Sequence, residues 1–144
     1  AQVKKVWPDT LLVKFKEDIP VAVWNQETLL NPQGEELVLT NHFDSTGLPR
    51  LFGPKKKTEQ VMRQFQRFQS RLLAVDVAMV SLTMNRVGSW QIELENGWTI
   101  RLGRQQLEQR LGRLIELLKV LPQEKVAVVD LRYGKGAAIK WLSV

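Results

Sequence analysis

Two stretches of the chain repeat apolar residues at the spacing of an amphipathic helix. In residues 59–74 the apolar residues that share one helical face are Val61, Phe65, Phe68 and Leu72. In residues 104–121 they are Leu107, Leu111, Leu114 and Leu118. Thr58 is a candidate N-cap for the first stretch, and Pro122 would end the second. The spacing therefore predicts two amphipathic helices.

Other stretches alternate apolar and polar residues, as half-buried strands do. Residues 77–83 predict one strand, and after it Trp90, Ile92 and Leu94 alternate with Gln91, Glu93 and Glu95. Asn96-Gly97 follows, and this dipeptide is typical of a type I′ hairpin turn, in which both central residues have positive φ. The alternation resumes with Trp98, Ile100 and Leu102, which predicts a second arm of the hairpin.

The last nineteen residues predict a further hairpin, with arms at 126–133 and 137–142 around a Gly134-Lys135-Gly136 turn. Strict alternation places Ala127, Val129, Leu131 and Tyr133 on one face. It places Val126, Val128, Asp130 and Arg132 on the other. The second arm is either covered by a neighbour or a free sheet edge whose backbone groups can pair with an added strand.

Residues 1–57 contain short strand-like segments separated by turn residues. The predicted segments are 2–6, 11–16, 19–24, 28–30 and 36–39. Because the chain opens inside a strand, we expect it to be an excised piece with pairing partners upstream. The order of strands, helix, strands, helix and strands predicts an α+β fold. We expect a mainly antiparallel sheet with the two amphipathic helices packed on one face.

The five tryptophans have two interpretations. Trp7, Trp24, Trp90 and Trp98 follow apolar alternation or flank strands, so core packing is favoured for them. Trp141 lies near the end of the terminal strand, where it is either a core residue or a partly exposed anchor of an interface.

Length and charge limit the class of protein. At 144 residues, the chain has room for one domain, or for one domain and a fragment of another. The net charge of +6 favours acidic neighbours, namely nucleic acid, anionic lipid or an acidic protein surface. The chain has no cysteine, no apolar run long enough to span a bilayer, and no signal-peptide pattern at its start.

Catalytic and metal-binding chemistry has few candidate residues. His42 is the only histidine and lies in a polar loop, so it is predicted to be a solvated residue. Glu93 and Glu95 point away from the apolar face of their strand and are expected to face solvent. Residues 53–58 resemble a phosphate-binding loop but lack glycine before the lysine. We expect no enzymatic activity, no cofactor and no metal.

Basic residues could form two strips along the helices. The first comprises Lys55, Lys56, Lys57, Arg63, Arg67 and Arg71. The second comprises Arg101, Arg104, Arg110 and Arg113. Glu59, Glu108 and Glu116 interrupt the strips, and no aromatic platform lies beside them. Solvated helix faces are therefore favoured over a nucleic-acid interface.

An ordered set of motifs over nearly the whole chain resembles the FtsQ family of bacterial cell-division proteins. The first is the string WPDTLLVKFKEDIPVAVWN of residues 7–25. Later matches are Leu48-Pro49, Ser89-Trp90, Asn96-Gly97, Leu102-Gly103-Arg104, Arg110-Leu111, residues 129–133 and residues 136–141. Each motif alone is weak, but their order is specific.

The resemblance implies a non-enzymatic scaffold of the divisome. It divides the chain into residues 1–24, a two-strand remnant of a POTRA domain with its junction, and residues 25–144, an FtsQ-type β domain. A single-pass inner-membrane protein is implied, with this region in the periplasm at the division septum and with an anchor that is absent here. The implied partners are FtsB, through it FtsL, and other divisome proteins.

The resemblance also implies the binding site. In this family the last strand receives the periplasmic tail of FtsB. The matching residues are Arg132, Tyr133, Gly136, Ala137, Ala138, Ile139 and Trp141. A partner strand would pair with the backbone of 136–141, an apolar side chain would enter a pocket of Tyr133 and Trp141, and Arg132 would meet a carboxylate.

The residues of that site differ from the family's pattern in two respects. Arg86 is expected to assist Arg132, although it lies one position from the family's arginine, whose place Val87 occupies. Lys135 and Lys140 add charge that the family does not predict, and their effect on partner choice stays open. The alternative function is a basic domain that binds an anionic polymer or a lipid surface.

Overall fold

The computed structural model describes residues 19–38 and 43–143. Its helices are α1 (Thr58–Leu73) and α2 (Leu107–Val120), with a short 3-10 helix at Gln123–Lys125. The strands are β1 (Ala22–Trp24), β2 (Thr28–Leu30), β3 (Glu36–Leu37), β4 (Arg50–Phe52), β5 (Met79–Met84), β6 (Trp90–Leu94), β7 (Thr99–Gly103), β8 (Val126–Asp130) and β9 (Ala138–Trp141). None of the helices in these ranges is long and apolar enough to cross a membrane.

Several predictions concern residues outside the described ranges. These are the strands at 2–6 and 11–16, the POTRA remnant that they would form, Trp7, and His42. The division of the chain at residue 24 therefore stays a prediction.

The described strands form one sheet in the order β3-β2-β1-β4-β5-β6-β7-β8-β9. The prediction of an α+β fold is confirmed, but the sheet is mixed: beside five antiparallel pairs it contains three parallel pairs that were not predicted. β1 and β4, β4 and β5, and β7 and β8 pair in parallel, and the other neighbours pair antiparallel. Two of these parallel pairs are joined through α1 and α2, because a parallel pair needs a long crossover connection.

Both helices pack on the same face of the sheet, as predicted. Val61, Phe65, Phe68 and Leu72 of α1 are buried in one core with Leu111, Leu114 and Leu118 of α2. Phe68 meets Trp90 of β6 edge to face, with ring centroids 6.1 Å apart. Along β6, Trp90, Ile92 and Leu94 are buried while Gln91 and Glu93 are exposed. One sheet face is therefore covered by helices, and the other, which we call the uncovered face, has no helix over it in the described part of the chain.

Three of the four tryptophans expected in the core are buried there: Trp24, Trp90 and Trp98. The indole N–H of Trp98 donates to the Gln123 carbonyl over 2.8 Å, so its polar group keeps a hydrogen bond.

The turn at Asn96-Gly97 differs from its prediction. Gly97 has φ of 97°, but Asn96 is not among the residues with positive φ, so the turn is not type I′. The Asn96 side chain instead accepts a hydrogen bond from the Trp98 backbone N–H at 3.0 Å. Two central residues with positive φ occur at Asn25 and Gln26, between β1 and β2.

A β-bulge in β8 overturns the predicted alternation of the terminal hairpin. Val126 opposes Trp141 and Val128 opposes Lys140, which leaves Ala127 as an extra residue. The extra residue shifts the side-chain phase, so Val126 shares the core with Val129 instead of lying on the opposite face. β8 also ends at Asp130, and Arg132 and Tyr133 lie in the connection to β9.

α2 begins three residues later than the predicted start at 104, and Gly103 explains the tight path of the chain there. Gly103 has φ of 79°, and a Cβ at this position would lie 2.5 Å from Nη1 of Arg110. Arg110 is buried, and the same Nη1 donates to the Leu102 carbonyl over 2.8 Å. The guanidinium therefore has little freedom to move aside.

We predict that Gly103→Ala lowers the free energy of unfolding by about 3 kcal/mol, from backbone strain plus displacement of Arg110. Gly97→Ala is the matched control, because Gly97 also has positive φ but has no atom near the added Cβ. It should cost about 1 kcal/mol from strain alone. Urea denaturation of both variants measures the difference, and equal costs would contradict the role of Arg110.

Candidate functional site

β9 is the outer strand at one end of the sheet and pairs with β8. The Leu142 N–H donates to the Lys125 carbonyl over 2.9 Å, so the backbone groups of Leu142 point to β8. Backbone groups alternate in direction along a strand, so those of Lys140 and Ala138 also point to β8. Those of Ile139 and Trp141 point to the free edge and can accept another strand.

This geometry reduces the number of residues whose backbone can pair with a partner strand. Residues 136–141 cannot all pair with a partner strand, because Ala138 and Lys140 already face β8. Ile139 and Trp141 are the residues of β9 whose backbone groups point outward, and no strand among the described residues pairs with them.

The side chains of β9 separate by face. Ile139 opposes the buried Val129 and packs against the core, so Ile139 and Trp141 project to the helix side. Trp141 is nevertheless 50% exposed, because it lies at the edge of the sheet. Of the two interpretations of Trp141, the partly exposed one agrees with the structure. Tyr133, in the β8–β9 connection, is 60% exposed.

A groove of about 530 Å³ runs beside the beginning of β9. Its walls are one flank of α2 and the β8–β9 connection, lined by Gln109, Gly112, Arg113, Glu116, Leu117, Lys135, Gly136 and Ala137. The predicted pocket of Tyr133 and Trp141 is not this groove, because neither residue lines it. Sequence reasoning missed the α2 flank. The residue that could have indicated this flank in the sequence is Gly112, because a glycine inside a helix leaves room for a neighbouring chain.

Arg113 of α2 forms hydrogen bonds to the segment between β8 and β9. Its Nη1 donates to the Gly134 carbonyl over 2.7 Å, and its Nη2 to the Leu131 carbonyl over 3.3 Å. Arg113 therefore fixes one wall of the groove relative to the other.

Arg132 is held by Asp130 at the end of β8. Its Nε and Nη2 donate to the two carboxylate oxygens over 2.8 and 2.6 Å. These bonds hold the pKa of Asp130 below its ordinary value, against the opposing effect of burial, and they raise the pKa of Arg132. The Arg132 side chain stays 46% exposed, so a positioned guanidinium faces solvent in a cavity that it shares with Ser89, Gln91 and Arg101.

A second cavity, of about 320 Å³, lies between the β5–β6 turn and the start of α2. Arg104, Arg110 and Arg132 line it together with Val87, Ser89, Gly103 and Gln105. Arg104 donates to the Val87 carbonyl over 3.1 Å, which brings its guanidinium to the turn. Arg86 is exposed in the same turn and does not line this cavity. Arg104 and the buried Arg110, rather than Arg86, thus share the cavity with Arg132.

The two predicted basic strips are not continuous. Arg110 is buried, Arg113 bonds the β8–β9 connection, and Arg71 of the first strip pairs with Glu108 of α2. Lys55, Lys56, Lys57, Arg63 and Arg67 are exposed. The exposed part of the first strip therefore lies around the beginning of α1, five strands away from β9.

The other chemical candidates have structural roles. Glu93 is exposed and accepts a hydrogen bond from the Ser81 hydroxyl over 2.8 Å. The Gly53 N–H donates to Asn25 Oδ1, so it is not directed at a phosphate. Within residues 19–38 and 43–143, no group of three or more histidine, aspartate or glutamate side chains is arranged to hold a metal ion.

The chain is similar to known cell-division proteins. The family model described as Cell division protein FtsQ/DivIB, C-terminal, matches residues 22–132 and ends before β9. Cell division protein FtsQ of Hahella chejuensis is 35% identical over 144 residues, which cover 98% of this chain and 52% of that protein. FtsQ of Actinobacillus pleuropneumoniae is 36% identical, with 95% of this chain and 62% of that protein covered. FtsQ of Escherichia coli is 32% identical, with 96% and 53% covered. The chain thus spans about half of the length of these relatives.

We predict that Asp130→Asn destabilises the fold at neutral pH and that the loss shrinks on acidification. The pKa of Asp130 is lowered in the folded state, so its pairing with Arg132 stabilises above the unfolded pKa of about 3.9 and is lost as pH falls through the folded pKa. Urea denaturation at pH 7 and at pH 3 measures the two differences. Glu27→Gln, an exposed carboxyl in the β1–β2 turn, is the control for loss of charge. A loss that is equal at both pH values would mean that packing, and not charge, sets the effect.

Proposed function

This chain belongs to the FtsQ/DivIB family of cell-division proteins, and from that premise we propose that it is a non-enzymatic scaffold of the divisome. It binds the periplasmic tail of FtsB, and through it FtsL, by strand addition at the free edge of β9. The observation that carries this proposal is the outward direction of the Ile139 and Trp141 backbone groups on an end strand. Such groups give main-chain affinity to an added strand.

The side chains around this edge support an interface. Trp141 is half exposed on the helix side, and tryptophan is enriched among residues that dominate binding energy. The groove beside Gly136 and Ala137 would take an apolar side chain of the added strand. Tyr133, exposed at the connection, would cover the same strand from its end.

A carboxylate of the partner would bind beside Arg132. Because Asp130 already orients this guanidinium, little side-chain entropy is lost when a second carboxylate arrives. Arg104 lines the same cavity and adds a second positive charge there. Arg86 lies in the neighbouring turn and would contribute at longer range.

The location of the protein follows from the same proposal. Since the chain spans about half of the length of its relatives, the rest of the protein would supply the inner-membrane anchor and the remainder of the POTRA domain. The described domain would then lie in the periplasm, at the division septum.

A second candidate function is binding to an anionic polymer or lipid surface. The exposed basic residues at the beginning of α1 favour it, as does the net charge of +6. The two functions differ in site and in salt response, because phosphate binding weakens steeply with salt. Tight, salt-sensitive binding to anionic vesicles that Trp141→Ala leaves unchanged would favour this second function.

We predict that Trp141→Ala weakens binding of the FtsB tail by about 2 kcal/mol, or about 30-fold in Kd, while the domain stays folded. Calorimetric titration measures the loss, and circular dichroism checks the fold. Val80→Ala removes another partly exposed apolar side chain, on β5, and should leave Kd unchanged. Global unfolding by Trp141→Ala would instead identify Trp141 as a core residue.

We also predict that Ile139→Pro abolishes measurable binding of the tail. Proline removes the outward N–H of Ile139, and an edge strand tolerates proline where its N–H faces solvent. Ala138→Pro is the informative counterpart, because the Ala138 N–H faces β8 and its loss should lower stability first. Normal affinity of a folded Ile139→Pro variant would argue against strand addition at this edge.

A further inference from the structure

We propose that β9 selects a strand in which acidic and apolar residues alternate, with a carboxylate directly beside Lys140. This inference rests on the proposed strand addition and adds the chemistry of the partner. It comes from the two side-chain rows of β9 and from the charges that surround them.

The side chains of β9 and its preceding residue form two rows of opposite character. Ala137, Ile139 and Trp141 project to the helix side, where the groove lies. Ala138 and Lys140 project to the uncovered face of the sheet. An added strand has the same alternation, so neighbouring residues of the partner would meet an apolar surface and a cationic one in turn.

Lys140 has no anionic partner in the described part of the chain. The ion pairs found there join Arg71 to Glu108, Lys119 to Glu116 and Arg132 to Asp130. Asp130, which lines a cavity together with Lys140, is already paired with Arg132. Arg101 opposes Asp130 from β7 and adds positive charge to the uncovered face.

The pairing geometry makes Lys140 the selective position. Because the backbone groups of Ile139 and Trp141 point outward, an antiparallel partner would form hydrogen-bonded pairs at those residues. Lys140 would then lie in a non-hydrogen-bonded pair, in which opposed side chains approach most closely. Opposite charges in such a pair stabilise it and like charges destabilise it.

The helix side selects for an apolar side chain. Gly112, Leu117 and Ala137 give the groove an apolar floor, and Glu116 at its rim is paired with Lys119. A charged side chain on that floor would lose hydration. Of the cations that line the groove, Arg113 is bonded to two backbone carbonyls and Lys135 is exposed, so neither is a buried partner for it.

A second copy of this chain does not fit the requirement. Residues 134–143 contain two lysines and no acidic residue, so self-pairing of β9 offers no carboxylate to Lys140 in any register. Charged residues on edge strands oppose such edge-to-edge pairing. The partner is therefore a different chain with acidic side chains.

Two synthetic nine-residue peptides test the inference: one alternates valine with glutamate and the other alternates valine with lysine. Binding is followed by NMR shifts of the Ile139 and Trp141 amides at low salt. We expect the glutamate peptide to bind about tenfold more tightly than the lysine peptide. Lys140→Glu should reverse this order. Lys56→Glu, an equal charge change in an exposed loop before α1, should leave the order unchanged.

The outcomes separate this inference from the proposed function when the FtsB tail is titrated in parallel. Equal binding of both peptides, or an order that Lys140→Glu does not change, overturns the inference and leaves strand addition intact. Failure of both peptides to shift the Ile139 and Trp141 amides also overturns it. If the FtsB tail fails as well, the proposed function falls with it.

Discussion

The parallel pairing of β8 with β7 is the constraint on which the free edge depends. After β7 the chain crosses the helix side of the sheet as α2 and returns beside the strand that it left. Burial of Leu111, Leu114 and Leu118 fixes that crossover against the sheet. β9 then turns back antiparallel to β8 and meets no further strand within residues 19–38 and 43–143. The position of the edge is thus set by core packing and not by the residues of β9 themselves.

Polar contacts hold the surroundings of β9 while β9 itself stays exposed. Arg113 fixes the β8–β9 connection to α2, and Asp130 orients Arg132 at the end of β8. The hydrogen bonds of both arginines hold parts of the chain near β9 in one position. A surface that is ordered before binding loses less conformational entropy when a partner arrives. The contact of Arg113 also explains why this arginine is unavailable for the predicted second basic strip.

The predictions that the structure confirms were those made from the local spacing of apolar residues. The helical stripes from Val61 to Leu72 and from Leu107 to Leu118, and the alternation along β6, are confirmed because each is set by neighbours in sequence. The parallel pairs were missed because they depend on where a crossover returns, which alternation does not encode. The phase of Val126 was missed because one extra residue, Ala127, inverts every earlier assignment in that strand.

The candidate site likewise has a part that the sequence predicts and a part that it does not. The terminal hairpin could be predicted from its residues, but the sequence left Trp141 either in the core or partly exposed, and only the packing of β9 decides between them. The groove could not, because Gly112 and Ala137 meet only after α2 has packed on the sheet. Arg104 was likewise assigned to a helix strip, although its contact with the Val87 carbonyl joins two segments distant in sequence.

An open sheet edge also carries a hazard, because any exposed strand can pair with another copy. Here the edge is short, and Lys140 on it forms no ion pair with any carboxylate that the structure describes. A positive charge at that point opposes pairing with identical strands at close range. The same charge stabilises an added strand only when that strand has a carboxylate opposite Lys140. One side chain can therefore both oppose self-pairing and select the partner. Small side chains at 136–138 keep the approach to the backbone open, and the cost of a wrong partner is then set mainly by Lys140.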